Sequence, residues 1–352
     1  MDKTLTIVAD RNIPFLKEAL EGLGNAIYLP GDAITPEVMR DADILLTRTR
    51  TKCNSNLLDG SKCSFVGTAT IGTDHIDLDY CSSREICVAN APGCNAPAVA
   101  QYVLAAIGRT LRPGETFADK TLGIIGVGNV GSILERWAKG LGMTVLLNDP
   151  PREEEGKDGK EYVGLDEIAR KCDVITVHTP LTRTGKHPTY HLINDSFLDK
   201  TEKRPMVINA ARGPVTDTEA LKRAFNIGKI SALAIDCWEG EPAIDTELLE
   251  MATVATPHIA GYSEEGKIRA TSMVLDALAR HLARHYGMDI TPEKLTATLP
   301  HTAPVPETIT PEAINYDIDA DTSSLKSIPT ASLPATFESL RNNYNLRPEP
   351  RG

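Results

Sequence analysis

Short runs of β-branched and aliphatic residues alternate with longer amphipathic stretches through most of the chain. Residues 4–9, 43–47 and 64–67 read as strands. Pro14 suits the first turn of a helix reaching Leu23, with Gly24 ending it, and Thr35-Pro36-Glu37 reads as a capped helix start. Residues 96–111 form a long apolar helix, after which the alternation begins again, with strands expected at 121–127, 144–148, 173–177, 205–209, 231–235 and 253–256. Strands alternating with helices predict parallel sheets covered on both faces. Residues 263–286 read as a further long helix, with Ile268, Val274, Leu275, Leu278 and Leu282 on one face. It comes too late to extend the second sheet, so it is expected to return to the first unit. Nine of the 23 prolines follow Gly287, where 314–318 read as a strand and 337–344 as a short helix. The expected architecture is α/β: two doubly wound parallel-sheet domains, 1–95 with 259–287 and 96–258, plus a small α+β appendage at 288–352.

The restart at residue 121 carries the strongest local signal. The apolar run 121–125 leads into Gly126-Val127-Gly128-Asn129-Val130-Gly131, and Asp149 ends the next expected strand. This is the Rossmann-type dinucleotide fingerprint in its strand, turn, helix and strand setting. Gly126 permits the turn, Gly128 admits a pyrophosphate, and Gly131 lets the helix pack closely. The helix start offers N–H groups to phosphates. Asp149 suits ribose hydroxyls and repels a 2′-phosphate, so NAD is favoured over NADP, with nearby Arg152 as the one opposing feature.

Composition narrows the partners. A net charge of −11 over 352 residues argues against a nucleic-acid binder. No apolar run is long enough to span a membrane, and residues 1–4 lack a signal-peptide core. Seven cysteines without a Cys-x-x-Cys pair suit reduced thiols in a cytoplasmic protein. No metal-ligand cluster is visible; His281 and His285 read as a helix face.

An enzyme using such a cofactor on an alcohol needs a base, a cation for the substrate and a group that fixes the base. Arg212, Glu241 and His258 each follow a strand of the second sheet, where open α/β sheets bind ligands. The Arg212 guanidinium suits a carboxylate. A Glu241 carboxylate beside His258 would orient the ring and raise its pKa. In the first unit, the loop 68–77 could form an anion nest, and Arg48, Arg50 and Lys52 cluster at a strand end. Each of these residues taken singly reads as an ordinary surface or structural group; their joint placement carries the reading.

Thr70-x-Gly72-Thr73-Asp74-His75-Ile76-Asp77, the glycine fingerprint, Asn209-Ala210-Ala211-Arg212-Gly213, the stretch 236–242 and Thr256-Pro257-His258-Ile259-Ala260-Gly261 together resemble the D-isomer-specific 2-hydroxyacid dehydrogenases. The resemblance covers residues 1 to about 287. Residues 66–75, 91–96, Asp149-Pro150-Pro151-Arg152, and Tyr262 with Glu265-Gly266-Lys267 resemble one branch more closely. That branch oxidises 4-phospho-D-erythronate at C2 in pyridoxal 5′-phosphate biosynthesis. The resemblance implies Arg212 and Glu241 as catalytic and His258 as proton donor and acceptor. It implies NAD contacts at Asn129, Val130, Asp149, Thr179, Ala210, Ala211, Arg212, Asp236 and Gly261, and substrate contacts at Thr49, Thr70 and Tyr262. By charge, Arg48 and Lys52, with Tyr262 and Lys267, would suit the phosphate. It also implies a homodimer formed through 288–352, although this segment is shorter than in the branch. Two other readings stay open: a dehydrogenase of phosphoglycerate or hydroxypyruvate, and a dinucleotide-sensing protein without turnover.

Overall fold

A computed structural model describes residues 4–351. The chain divides into two compact units: residues up to Asn95 with Glu264–Ala303, and Ala96–Ser263 with Pro304 onward.

The first unit holds β1 (Leu5–Asp10), β2 (Gly24–Leu29), β3 (Ile44–Thr47), β4 (Phe65–Thr68) and β5 (Cys87–Ala89). All pair in parallel, in the order β2-β1-β3-β4-β5. Side chains alternate between two buried layers, as strand geometry requires. Ile7, Ala9, Ile44, Leu46 and Phe65 pack with Val274, Leu275, Leu278 and Leu282 of the helix Glu264–Tyr286. Val8, Leu45 and Val66 face the other way, against Met39, Leu57, Leu58 and Cys81. The late helix therefore packs within the first unit.

The second unit holds β6 (Thr121–Ile125), β7 (Thr144–Asn148), β8 (Val174–Val177), β9 (Met206–Asn209), β10 (Ala232–Ile235) and β11 (Val254–Ala255). These are parallel in the order β11-β10-β9-β8-β6-β7. One face packs on Val103, Leu104 and Ile107 of the helix Ala96–Thr110 and on Leu134 and Trp137 of the helix Asn129–Gly140. The other face packs on Ile168, Leu221 and Leu248, joined by Leu325, Leu333 and Phe337 from near the C-terminus. Strand order reverses at β6, which places the ligand crevice between the ends of β6 and β8.

Three features differ from the expected layout. The helix from Pro14 shrinks to Leu16–Ala19, because Gly24 starts an edge strand rather than ending a helix. A Cβ at Gly24 would lie 2.4 Å from the Leu5 carbonyl oxygen, so only glycine lets β2 begin against β1. Residues 314–318 are not a strand. Pro311–Ile314 is a 3-10 turn, and Asp317 caps the helix Ile318–Lys326 by accepting from the Ala320 N–H at 3.0 Å. The C-terminal part is thus helical rather than α+β. It is also shared out: Leu295 and Leu299 join the first unit's core, whereas Leu325, Leu333 and Phe337 join the second's. Residues 259–263 stay with the second unit, because Asp236 holds the Ile259 and Ala260 N–H groups.

Candidate active site

The glycine turn is built by close backbone approach. Gly126 has φ +92, and a Cβ there would lie 2.8 Å from the His178 carbonyl carbon. A Cβ at Gly131 would lie 2.2 Å from the Gly126 oxygen, so the helix Asn129–Gly140 can pack on the turn only with glycine there. Gly128 is different: a Cβ there meets no atom within 4 Å. Asp149 accepts from the Val127 N–H at 2.8 Å and caps the helix Pro150–Glu155 through the Arg152 N–H at 3.2 Å. Arg152 Nε lies 3.9 Å from Asp149.

Across the crevice, His178 is held neutral, its pKa pushed down to about 3 by burial, with Nε2 2.9 Å from Thr176 Oγ1. Thr179 follows, and its buried Oγ1 has no hydrogen-bond partner. An orphaned hydroxyl beside a glycine turn that keeps open space at Gly128 fits a dinucleotide: the turn suits its phosphates and Thr179 a further polar group.

At the other end of the sheet, three loops are wired to one another. Asn209, fully buried at the end of β9, donates to the carbonyl oxygens of Arg212 and Gly213 at 3.0 and 3.2 Å and accepts from the Ala211 N–H at 3.1 Å. This fixes the Ala210-Ala211-Arg212 turn, and Arg212 Nη1 donates to the Ala211 oxygen at 2.8 Å. Gly213 lets that turn touch the next loop, since a Cβ would sit 2.0 Å from the Trp238 oxygen.

Glu241 and His258 come together directly, with Glu241 Oε2 2.8 Å from His258 Nδ1. The other Glu241 oxygen accepts from the Trp238 N–H at 2.8 Å. Burial pushes the Glu241 carboxyl up, but the hydrogen bond and charge of His258, the Trp238 N–H and the Arg341 charge outweigh it and hold it below its ordinary value. It therefore stays ionised beside the ring. His258 sits at φ +57, an uncommon conformation for a side-chain-bearing residue, held by its N–H donating to the Asp236 oxygen at 2.9 Å. The Asp236 carboxylate, 1% exposed, accepts from the Ile259 N–H at 2.7 Å and the Ala260 N–H at 3.0 Å, with Thr256 Oγ1 2.7 Å away. Burial raises its pKa against the opposing His258 charge and these donors. Asp236 thereby spends its oxygens on the loop carrying His258 and Gly261. Among the described residues, Cys237, Glu241 and His258 form the one group compact enough to hold a metal. The Glu241–His258 hydrogen bond and a thiol that burial keeps protonated favour an acid–base pair there instead.

The first unit brings together its own candidates. Thr70 Oγ1 lies 2.7 Å from Thr68 Oγ1 and 3.0 Å from the Gly72 oxygen, and Thr68 Oγ1 lies 3.1 Å from His75 Nε2. Arg48, Thr49 and Lys52 follow the adjacent strand β3, with Thr49 and Lys52 exposed and Arg48 donating to the Asn12 oxygen at 3.4 Å. Two positioning residues escaped the sequence reading. Asn209 stood inside a motif but was read only as strand. Arg347, 7% exposed, donates to the Ile259 and Tyr262 oxygens at 3.1 Å and to that of Ala260, and nothing in its sequence neighbourhood marks it.

Residues 98–260 match the family model described as D-isomer specific 2-hydroxyacid dehydrogenase, NAD binding domain. An erythronate-4-phosphate dehydrogenase of Bacteroides thetaiotaomicron is 46% identical over 351 residues, covering 98% of this chain and 97% of the relative. One from Proteus mirabilis is 38% identical, covering 98% and 93%. Among solved structures, D-lactate dehydrogenase from Aquifex aeolicus, complexed with NAD and lactic acid, superposes with TM-score 0.66 at 26% identity, over 85% of this chain and all of that one. NAD-bound 3-phosphoglycerate dehydrogenase of Entamoeba histolytica gives TM-score 0.67 at 25% identity, over 80% and 97%. The two-sheet architecture, the NAD-binding domain and near-complete alignment at such identity agree: the chain belongs to the erythronate-4-phosphate dehydrogenases, within the D-isomer-specific 2-hydroxyacid dehydrogenase family.

Proposed function

We propose that this chain oxidises 4-phospho-D-erythronate at C2 to 2-oxo-3-hydroxy-4-phosphobutanoate with NAD, a step towards pyridoxal 5′-phosphate. The observation that carries the reading is the 2.8 Å contact between Glu241 and His258 Nδ1, on a sheet whose glycine turn and orphaned Thr179 hydroxyl suit the cofactor. NAD, when bound, accepts the hydride from C2. His258 takes the hydroxyl proton at Nε2, since Nδ1 is turned to Glu241. Glu241 orients the ring and stabilises the imidazolium that forms. Arg212 holds the substrate carboxylate through its guanidinium fork. Asn129, Val130, Asp149, Thr179, Ala210, Ala211 and Gly261 serve the cofactor, and Tyr262, Thr70, Thr49, Arg48 and Lys52 serve the substrate. Asp236 acts by holding the His258 loop.

The same proposal includes a homodimer formed through the C-terminal segment, testable by sedimentation, and a cytoplasmic site, where a phosphorylated metabolite is retained. Purified protein assayed for NADH formation should prefer 4-phospho-D-erythronate over 3-phosphoglycerate by more than about tenfold in kcat/KM. A preference for phosphoglycerate would overturn the substrate assignment and leave the family assignment standing.

A further inference from the structure

The helix Leu333–Asn342 is anchored by Leu333 and Phe337, 2% and 0% exposed, in the same apolar layer as Ile235, Trp238 and Ala255. Arg341 lies one turn beyond Phe337 on the same helix face. Its side chain is 19% exposed, and Nη1 lies 3.1 Å from Glu338 Oε1. Its Nε is buried and has no hydrogen-bond partner. A buried guanidinium with an unmatched donor is costly unless an anion completes it. The chain after Arg341 is tied to the catalytic loop. Tyr344 meets Tyr262 edge to face at 6.1 Å, Arg347 bridges to Ser263, and Ser263 Oγ donates to Glu349 at 2.6 Å. Arg347 also takes the carbonyl oxygens of Ile259, Ala260 and Tyr262. Arg341 is therefore held in fixed relation to Tyr262 and Glu241, near enough for its charge to be felt by both.

We propose that Arg341 is a substrate-binding residue that takes the phosphate of the substrate beside Tyr262. This rests on the phosphorylated 2-hydroxy acid assigned above. With Arg212 at the end of β9 committed to the carboxylate, the dianionic phosphate calls for several donors, and Arg341 adds one beside Tyr262 to those of Arg48 and Lys52. A guanidinium with Nε and an Nη unspent offers the paired donors that phosphate oxygens accept. The rival role is electrostatic: Arg341 would serve only to keep Glu241 ionised, with no direct contact to substrate.

The test uses the full-length Arg341→Gln and Arg341→Lys variants, with 4-phospho-D-erythronate, D-erythronate and inorganic phosphate as probes. For Arg341→Gln, KM for the phosphorylated acid should rise about 30-fold or more, with kcat within about threefold. The loss in kcat/KM should be at least about tenfold smaller for D-erythronate than for the phosphorylated acid, the Ki for inorganic phosphate should rise about tenfold or more, and Arg341→Lys should recover part of both losses. An equal loss on both acids with a shifted pH profile would assign Arg341 to Glu241 and overturn the proposal. Phosphate inhibition that is absent from the wild type, or unchanged in the variant, would overturn it as well. A wild type that prefers an unphosphorylated acid would sink the substrate assignment, while the phosphate Ki would still decide the role of Arg341.

Discussion

The two ends of the second sheet are built on opposite principles. The turn 126–131 is made of backbone: glycines at Gly126 and Gly131 let main-chain atoms approach closely, and the space at Gly128 stays open. The edge from Asn209 to Tyr262 is made of side chains held by side chains and by one another's main chain, through Asn209, Asp236, Trp238 and Arg347. A cofactor's phosphates can be met by main-chain N–H groups that need no adjustment. A proton acceptor must have one orientation and one charge state, and only a network of partners fixes both.

The sharpest way to test that division is to remove the proton acceptor. His258→Ala should lower kcat by about 10³- to 10⁴-fold, while the Kd for NADH changes by less than about threefold. Stopped-flow reduction and fluorescence titration read the two quantities separately. Parallel losses in both would show that the edge and the turn are one unit.

Glu241→Gln tests the network one step back, with an expected loss of about 10²-fold in kcat. It also has a pH signature. The Glu241 carboxyl lies below its ordinary value of 4.5, so the folded protein holds its proton less tightly than the unfolded chain. Its contribution to stability is complete above that value and drains away as pH falls through the folded pKa. Urea melts of Glu241→Gln should show a shallower loss of stability from pH 5 downward. An unaltered acid limb would mean that other carboxylates set it.

These same two regions differ in how legible they were. The turn was readable because glycine spacing after a strand is a local pattern, and the strands of the second sheet were readable because each is an apolar run. Arg212, Glu241 and His258 could be aligned only by noticing that each follows a strand; that Glu241 reaches His258 is a fact of packing. The edge strands β2 and β5 were missed because half-exposed edges lack a continuous apolar run. Residues 314–318 look like a strand by composition, yet Ile314 ends a 3-10 turn that Pro311 starts and Asp317 caps a helix that begins at Ile318. Arg341 and Arg347 carry no local signal, since, apart from Glu338 beside Arg341, the groups they act on lie about 80 to 250 positions away.

Within the turn, the comparison can be repeated at finer scale. Gly131→Ala forces a Cβ onto the Gly126 oxygen and should cost about 2–3 kcal/mol of stability together with NADH affinity. Gly128→Ala meets no protein atom, so stability should change by less than about 1 kcal/mol while the Kd for NADH rises about tenfold or more. Equal stability losses would refute the separation of packing glycine from ligand-facing glycine.

Thr179→Val carries the smallest expected effect and the most diagnostic sign. In the free protein its buried Oγ1 has no hydrogen-bond partner, so a methyl of similar size removes a desolvation cost. The free variant should be more stable by about 1 kcal/mol. If that hydroxyl exists to meet the cofactor, NADH binding should weaken about three- to tenfold in the same variant, because the partner is lost on one side only. Thermal melts with and without NADH would then cross, the variant melting higher when free and gaining less from the cofactor. A variant that is stabilised in both states would make Thr179 a packing residue, and the turn alone would carry the cofactor.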